Sequence, residues 1–279
     1  MKIKVINNAD DFGYSNAINY GIIDAHVQGI LKSTTIMANM PGFEHAIQLY
    51  KQHSTLAIGV HCNLTCGNPL SNNSKLIDES TGCFFGRSRY YETAIDIDRQ
   101  AIYNELTLQI DRVYAAGIKP THLDSHHHIH THPQILPILV ELAEKYQLPL
   151  RNVTWLESQQ AGNIFNCNYQ PSLWYKKKDI LSTNKILIDA YLDKCVPLDN
   201  YDDLDDIIVK QTIDRLEECR NKKIEVVEIM WHPAYLDKNI CQHSSVNKPR
   251  IYELQALLSD KLRDYFKMNC VLCDFSELN

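Results

Sequence analysis

An α/β fold is predicted for this chain: a distorted (β/α) barrel of the TIM-like kind, built as a single domain. Three observations predict it. Strand-like and helix-like segments alternate along most of the 279 residues, the pattern of parallel strands joined by helical crossovers. The length accommodates about seven such units, for which a closed or distorted barrel is favoured over an open sheet. Polar clusters also fall just after strand-like runs, where parallel α/β folds collect their active residues.

The elements follow in order. Residues 2–8 carry Ile3, Val5 and Ile6 among polar residues and read as the first strand. Ser15 caps a helix whose Ile18, Ile22 and Ala25 share a face, and Gly29 stops it. Residues 33–38 read as a strand, 43–52 as a helix and 56–64 as a short apolar strand. The stretch 68–96 is loop-like. Asp98 caps a long helix with the stripe Ile102, Leu106, Ile110 and Val113, ended by Gly117. Residues 120–125 form a strand that leads into a run of histidines. Pro133 suits the first turn of the next helix, whose Ile135, Leu136, Leu139, Leu142 and Ala143 face the core. Residues 148–153 read as a strand, and 155–203 as an insertion or substrate-side excursion. Helix 205–220, strand 224–231, helix 249–266 and a last strand from Cys270 to Phe275 complete the chain.

Composition narrows the function. Hydrophobic residues make up 44% and charged residues 22%, so a full core is expected. The net charge is -6 and no Lys/Arg run outlasts Lys176-Lys177-Lys178, which argues against nucleic acid. No apolar window approaches the ~20 residues of a membrane span, and the N-terminus lacks a signal-peptide pattern. A cytoplasmic protein without membrane contact is expected, its nine cysteines reduced. Cys270 and Cys273 form a lone CxxC read as core thiols. The sequence also allows a homodimer.

Twelve histidines are present, and His122, His126, His127, His128, His130 and His132 crowd one short stretch. Each ring brings a donor and an acceptor, so the crowding points to a task. Four clusters carry the chemistry. Asn8-Ala9-Asp10-Asp11-Phe12-Gly13 ends the first strand. Adjacent carboxylates repel and normally share a cation or a proton; both enter one pocket only where the chain turns, which Gly13 permits. Gly59-Val60-His61-Cys62-Asn63-Leu64-Thr65 ends an apolar strand, with His61 and Asn63 on one face. In Thr121-His122-Leu123-Asp124-Ser125-His126-His127-His128, an extended chain would line up Asp124, His126 and His128, and Asp124 is placed to orient a metal-bound ring. In Glu228-Ile229-Met230-Trp231-His232-Pro233, Pro233 keeps His232 extended at a strand end, suited to donating a proton. One carboxylate and two histidines would leave open coordination positions on a metal.

Together these motifs resemble the YdjC-like carbohydrate deacetylase family, with its chitooligosaccharide (diacetylchitobiose) type as the nearest likeness. Asn19-Tyr20-Gly21-Ile22-Ile23 and Ser33-Thr34-Thr35 share it. The likeness runs to about Arg151 and resumes over about 225–258. It implies a distorted (β/α) barrel and one divalent metal held by Asp11, His61 and His126. It further implies Asp10 as general base and protonated His232 as general acid in removing the N-acetyl group of a sugar or short chitooligosaccharide. The family suggests Mg2+, whereas imidazole ligands favour Zn2+. Asp124, His128, Asn63 and Arg151 are candidates for touching substrate or supporting a ligand, and Arg151 for pairing with a site carboxylate. Tyr90, Tyr91, Trp174 and Tyr175 are candidate sugar-stacking faces. Cys62 stands where the family often has a larger apolar residue. The rival reading is a metal-dependent phosphoester hydrolase, which would recruit more ligands, such as His128 and His130, for a second metal.

Overall fold

The computed structural model describes residues 2–71, 73–91, 96–151, 185–189, 204–244 and 246–278. Strands β1 (Ile3–Phe12), β2 (Ser33–Ile36), β3 (Ala57–Cys62), β4 (Leu123–Ser125), β5 (Lys185–Asp189), β6 (Val226–Trp231) and β7 (Cys270–Leu272) form one sheet. Its order is β4-β3-β2-β1-β6-β5, every paired ladder is parallel, and β7 pairs with the start of β1 on the edge that β2 takes up from Asn8 onward. Helices α1 (Asn16–Val27), α2 (Phe43–Gln52), α3 (Arg99–Ala115), α4 (Leu136–Tyr146), α5 (Leu204–Asn221), α6 (Lys238–His243), α7 (Pro249–Leu258) and α8 (Asp260–Asn269) fill the connections.

β1 is the central strand and is buried almost throughout, as expected of a parallel strand covered on both faces. Its asparagines are paired: Trp231 Nε1 donates to Asn7 Oδ1 at 3.0 Å, and Ser33 Oγ to Asn8 Oδ1 at 2.7 Å. The expected caps form. Ser15 Oγ accepts from Ile18 N at 3.3 Å and Asp98 Oδ1 from Ala101 N at 2.9 Å. Ile18, Ile22 and Ala25 of α1 and Ile102, Leu106, Ile110 and Val113 of α3 are buried in one large hydrophobic cluster. No helix among the described residues is long and apolar enough to cross a membrane.

The sheet is strongly coiled. Backbone 149–151 continues it beyond β4: Leu123 N donates to Pro149 O and Arg151 N to Leu123 O, both at 2.8 Å. The Arg151 side chain nevertheless reaches Asp10 on β1 and Glu228 on β6. In a flat sheet, four spacings of about 4.8 Å would separate Arg151 from β1 by roughly 19 Å, beyond any arginine. Coiling brings them together, with Arg151 inside the curve. The architecture is therefore α/β with a parallel, barrel-like sheet, but the hydrogen-bond ladder does not close among the described residues.

Several boundaries differ from expectation. The helix expected over 249–266 is two helices, broken at Ser259, whose extended ψ of 130° ends α7. Pro137, not Pro133, occupies the first turn of α4. The strand expected over 148–153 pairs with β4 through a single bridge at Leu150. Within 155–203 only the backbone of β5 is described, so the excursion otherwise lies outside the described residues.

Close β3–β4 packing relies on Gly59. A Cβ there would lie 2.4 Å from the His122 ring. That ring is stacked on Phe275 at 3.5 Å and cannot retreat. Gly59→Ala should lower unfolding free energy by about 1–3 kcal/mol, measured by urea denaturation. An unchanged midpoint would show that the ring has room to move.

Candidate metal centre

Two adjacent aspartates share the pocket because β1 is distorted. Its register with β2 shifts between Ala9 and Phe12, and Asp11 takes a left-handed φ of 72°. Such a conformation is costly for a residue with a Cβ and tends to mark functional sites. The strand therefore does not stop before the aspartates, as the sequence suggested. It bulges through them, and Gly13, at φ 90°, completes the turn.

Three residues expected to hold a metal meet. Asp11 Oδ1 lies 3.4 Å from His61 Nε2 and 3.0 Å from His126 Nδ1. It is buried, and neither ring is aligned to hydrogen-bond it. One ligand atom from each residue lies within 4.8 Å of the others. A buried carboxylate oxygen facing two imidazole nitrogens fits a divalent cation of borderline softness. Asp124 supports it: Asp124 Oδ1 lies 2.7 Å from His61 Nδ1, turning Nε2 toward Asp11. Thr35 Oγ1 donates to Asp124 Oδ2 at 3.0 Å. The β3–β4 register, which sets His61 opposite Asp124, creates this pair.

The extended run Asp124-His126-His128 does not form. β4 ends at Ser125, and His126–Thr131 wind into a tight turn with His127 and His128 at φ 54° and 52°. Ser125 Oγ accepts from His130 N at 2.9 Å and holds that turn. His128 consequently lies near enough to feel Arg151, Asp10, His232 and His61.

Arg151 ties the remaining carboxylates together. Its Nη1 and Nη2 donate to Asp10 Oδ2 and Oδ1 at 2.7 and 2.6 Å. Nη1 also lies 2.8 Å from Asp124 Oδ2, and Nε donates to Glu228 Oε1 at 3.0 Å. Burial opposes ionisation of Asp10, but Arg151 more than offsets it and holds the carboxyl well below its usual range. Burial likewise opposes ionisation of Asp11, overcome by Arg250 and His126. A second carboxylate-histidine group, Asp10, His61 and Asp124, could also hold an ion. Arg151 already contacts two of its members, so a second cation there would face a fixed positive charge.

His232 stands 20% exposed beside this cluster and His126 12% exposed within it, so solvent approaches from their side. The His232 backbone N–H donates to Glu253 Oε2, whose carboxylate lies 3.8 Å from Nδ1. Burial pushes His232 down to about 4, with Asp10 opposing and Arg250 assisting. That shift favours the neutral ring, so a general acid here would have to gain its proton during the reaction. Neither Glu253 nor Arg250 was singled out from the sequence. Arg250 Nη2 donates to Asp11 Oδ2 at 2.6 Å. Both residues occupy the apolar stripe of α7 with the buried Leu254 and Leu257, and a charge on such a stripe is the signal that could have found them.

Other candidates do different work. Asn63 folds its own turn: Oδ1 accepts from Thr65 N and Cys66 N, while Nδ2 donates to Asn39 Oδ1 and Cys66 O. Tyr90 is buried and donates to Leu64 O at 3.2 Å. The Tyr91 side chain, Trp174 and Tyr175 lie outside the described residues. Cys62 is a buried thiol in the hydrophobic cluster, pushed up by burial. Cys270 and Cys273 are buried and free.

Comparison with known proteins gives a consistent picture. The model of the YdjC-like protein family matches residues 4–268. A carbohydrate deacetylase of Brevibacillus brevis is 39% identical over 280 residues, covering 99% of this chain and 100% of the relative. One from Vibrio cholerae serotype O1 is 36% identical over 260 residues, covering 93% and 90%. A solved structure from Enterococcus faecalis V583, provisionally described as a cellobiose-phosphate cleavage protein, is 30% identical with a TM-score of 0.82, covering 100% of this chain and 99% of that one. An uncharacterized Agrobacterium tumefaciens C58 protein, 11% identical with a TM-score of 0.55, shares the fold.

Two outcomes follow from the electrostatics. Burial lowers the affinity of His61 and His126 for protons, but Asp124 and Asp10 raise His61 to about 10, and Cys66 and Asp11 raise His126 to about 9. A cation bound there would displace protons from both rings at pH 7. Its apparent association constant should rise by up to about a hundredfold per pH unit below the lower of these values and level off above the higher. Calorimetry in buffers of different ionisation enthalpy should register about two protons released per cation; release of none contradicts this. Arg151→Met strands buried carboxylates and should cost about 3–5 kcal/mol at pH 7. Arg151 keeps Asp10 ionised in wild type to well below pH 4, whereas in the variant burial alone acts on the carboxyl and raises its pKa, so the variant takes up a proton first and is relieved of its stranded charge as pH falls. The gap to wild type in urea melts should therefore narrow toward pH 4, and a gap that widens there contradicts the pairing.

Proposed function

The chain belongs to the YdjC-like family, and from that premise we propose that it hydrolyses the N-acetyl group of an N-acetylated sugar, releasing acetate and a free amine. The observation that carries this reading is the buried Asp11 Oδ1 facing His61 Nε2 and His126 Nδ1, with Asp10 and His232 beside it. The relatives named carbohydrate deacetylases support it. We take 1–279 as one catalytic domain, one divalent cation as its cofactor, and short chitooligosaccharides as the substrate class. Two imidazoles and a carboxylate favour Zn2+, while Mg2+ follows from the family resemblance.

Asp11, His61 and His126 would hold the cation, which when bound supplies Lewis acidity, polarising the acetyl carbonyl and acidifying water. Arg151 makes Asp10 a weak base but fixes both of its oxygens in place. Asp10 takes a proton from the attacking water as the new C–O bond forms. His232 starts neutral and needs a proton before it can donate one. Asp10, which feels the charge of His232 directly, has just gained one. Passing it through His232 to the departing nitrogen balances the reaction, and the C–N bond breaks to leave acetate and amine. Glu253, beneath His232, favours the imidazolium that forms on the way.

Phosphoester hydrolysis on a two-metal site is disfavoured because Arg151 lies across the second carboxylate-histidine group. Short N-acetylglucosamine oligomers should release acetate only with a divalent cation, lose that activity on chelation and recover it on refilling. No acetate with any cation would end the proposal. Asp10→Asn should retain the cation and lower kcat by about 10²- to 10⁴-fold; loss of the cation instead would exchange the roles of the two aspartates.

A further inference from the structure

The first turn of α7 delivers a guanidinium to the metal side of the centre. Arg250 is 3% exposed and follows Pro249 at the helix start. Its Nε donates to Val246 O at 2.9 Å, and its own carbonyl accepts from Ala234 N at 3.2 Å, two residues after His232. The Nε bond holds the side chain and the carbonyl bond holds the backbone behind it, placing the guanidinium on Asp11, where Nη2 reaches Oδ2 at 2.6 Å.

That contact divides the two oxygens of Asp11. Oδ2 is committed to a short, charge-assisted hydrogen bond. Oδ1 alone faces His61 and His126. A carboxylate free of such a partner can chelate a cation through both oxygens and so occupy an extra coordination position. The fixed charge of Arg250 also repels a dication at close range.

We propose that Arg250 is a positioning residue that restricts Asp11 to one-oxygen coordination, giving up cation affinity to keep coordination positions open for water and the acetyl oxygen. This rests on the reading of Asp11, His61 and His126 as a cation centre. It differs from a structural role in sign. Loss of a structural support loosens the cation, whereas loss of a restraint tightens it while turnover falls.

The test uses the full-length chain, freed of metal and titrated with Zn2+ or Co2+ alone. Arg250→Met should bind Zn2+ at least about tenfold more tightly than wild type, with kcat at least about a hundredfold lower and KM little changed. The visible absorption of bound Co2+ should weaken as its coordination number rises. Arg250→Lys, which keeps the charge, should return the Zn2+ affinity to within about threefold of wild type. If Arg250→Met does not fold, Arg250→Leu carries the same test, since it too leaves Oδ2 without a donor and removes the charge. Unchanged or weaker Zn2+ binding in a folded, uncharged variant overturns the role of Arg250 and leaves the centre standing. A wild-type chain that binds neither ion overturns both.

Discussion

Buried negative charge governs this structure. Asp10, Asp11, Asp124, Glu228 and Glu253 are all buried at the C-terminal ends of the strands or beside them, where an unpaired carboxylate would be expensive. Two buried arginines, Arg151 and Arg250, answer part of it. The formal excess is held by imidazoles, and the upward shifts of His61 and His126 are their response to it. A divalent cation would supply the same charge without protons. Electrostatic need and ligand geometry thus converge at Asp11.

The fold supplies the means. Arg151 enters from beyond one edge of the ladder, Glu228 sits on β6 across the sheet, and Arg250 comes from a helix late in the chain. Only a coiled sheet lets one guanidinium meet β1, β4 and β6 together. The bulge in β1 turns two neighbouring aspartates to separate partners, Asp10 to Arg151 and Asp11 to Arg250. That separation leaves Asp10 held by Arg151 and turns Asp11 Oδ1 to the imidazoles.

Much of this was legible in the sequence. Asp11, His61 and His126 follow three separate strand-like runs, and strand ends in parallel sheets converge whatever the intervening loops do. Register was not legible. Asp124 orients His61 across the β3–β4 ladder rather than a histidine near it in sequence, and the turn at His126 depends on a serine hydroxyl that no spacing rule anticipates. The reserved signal was polarity in the wrong place. Glu105 and Gln109 lie on the apolar stripe of α3, and both are buried. Gln109 exchanges two hydrogen bonds with the Asn63 backbone, and Glu105 accepts from Leu70 N and Ser71 N, fixing the loop after β3. Arg250 and Glu253 repeat the pattern on α7. A charged residue on a buried stripe implies a buried partner, but only the folded chain says which one.

The central claim is that a single cation lies between Asp11 Oδ1, His61 Nε2 and His126 Nδ1. Anomalous diffraction from crystals of the Zn2+-loaded protein tests it most directly. One peak per chain is predicted, about 2.0–2.2 Å from each of those three atoms. A peak among Asp10, His61 and Asp124, or two peaks bridging the carboxylates, would contradict it.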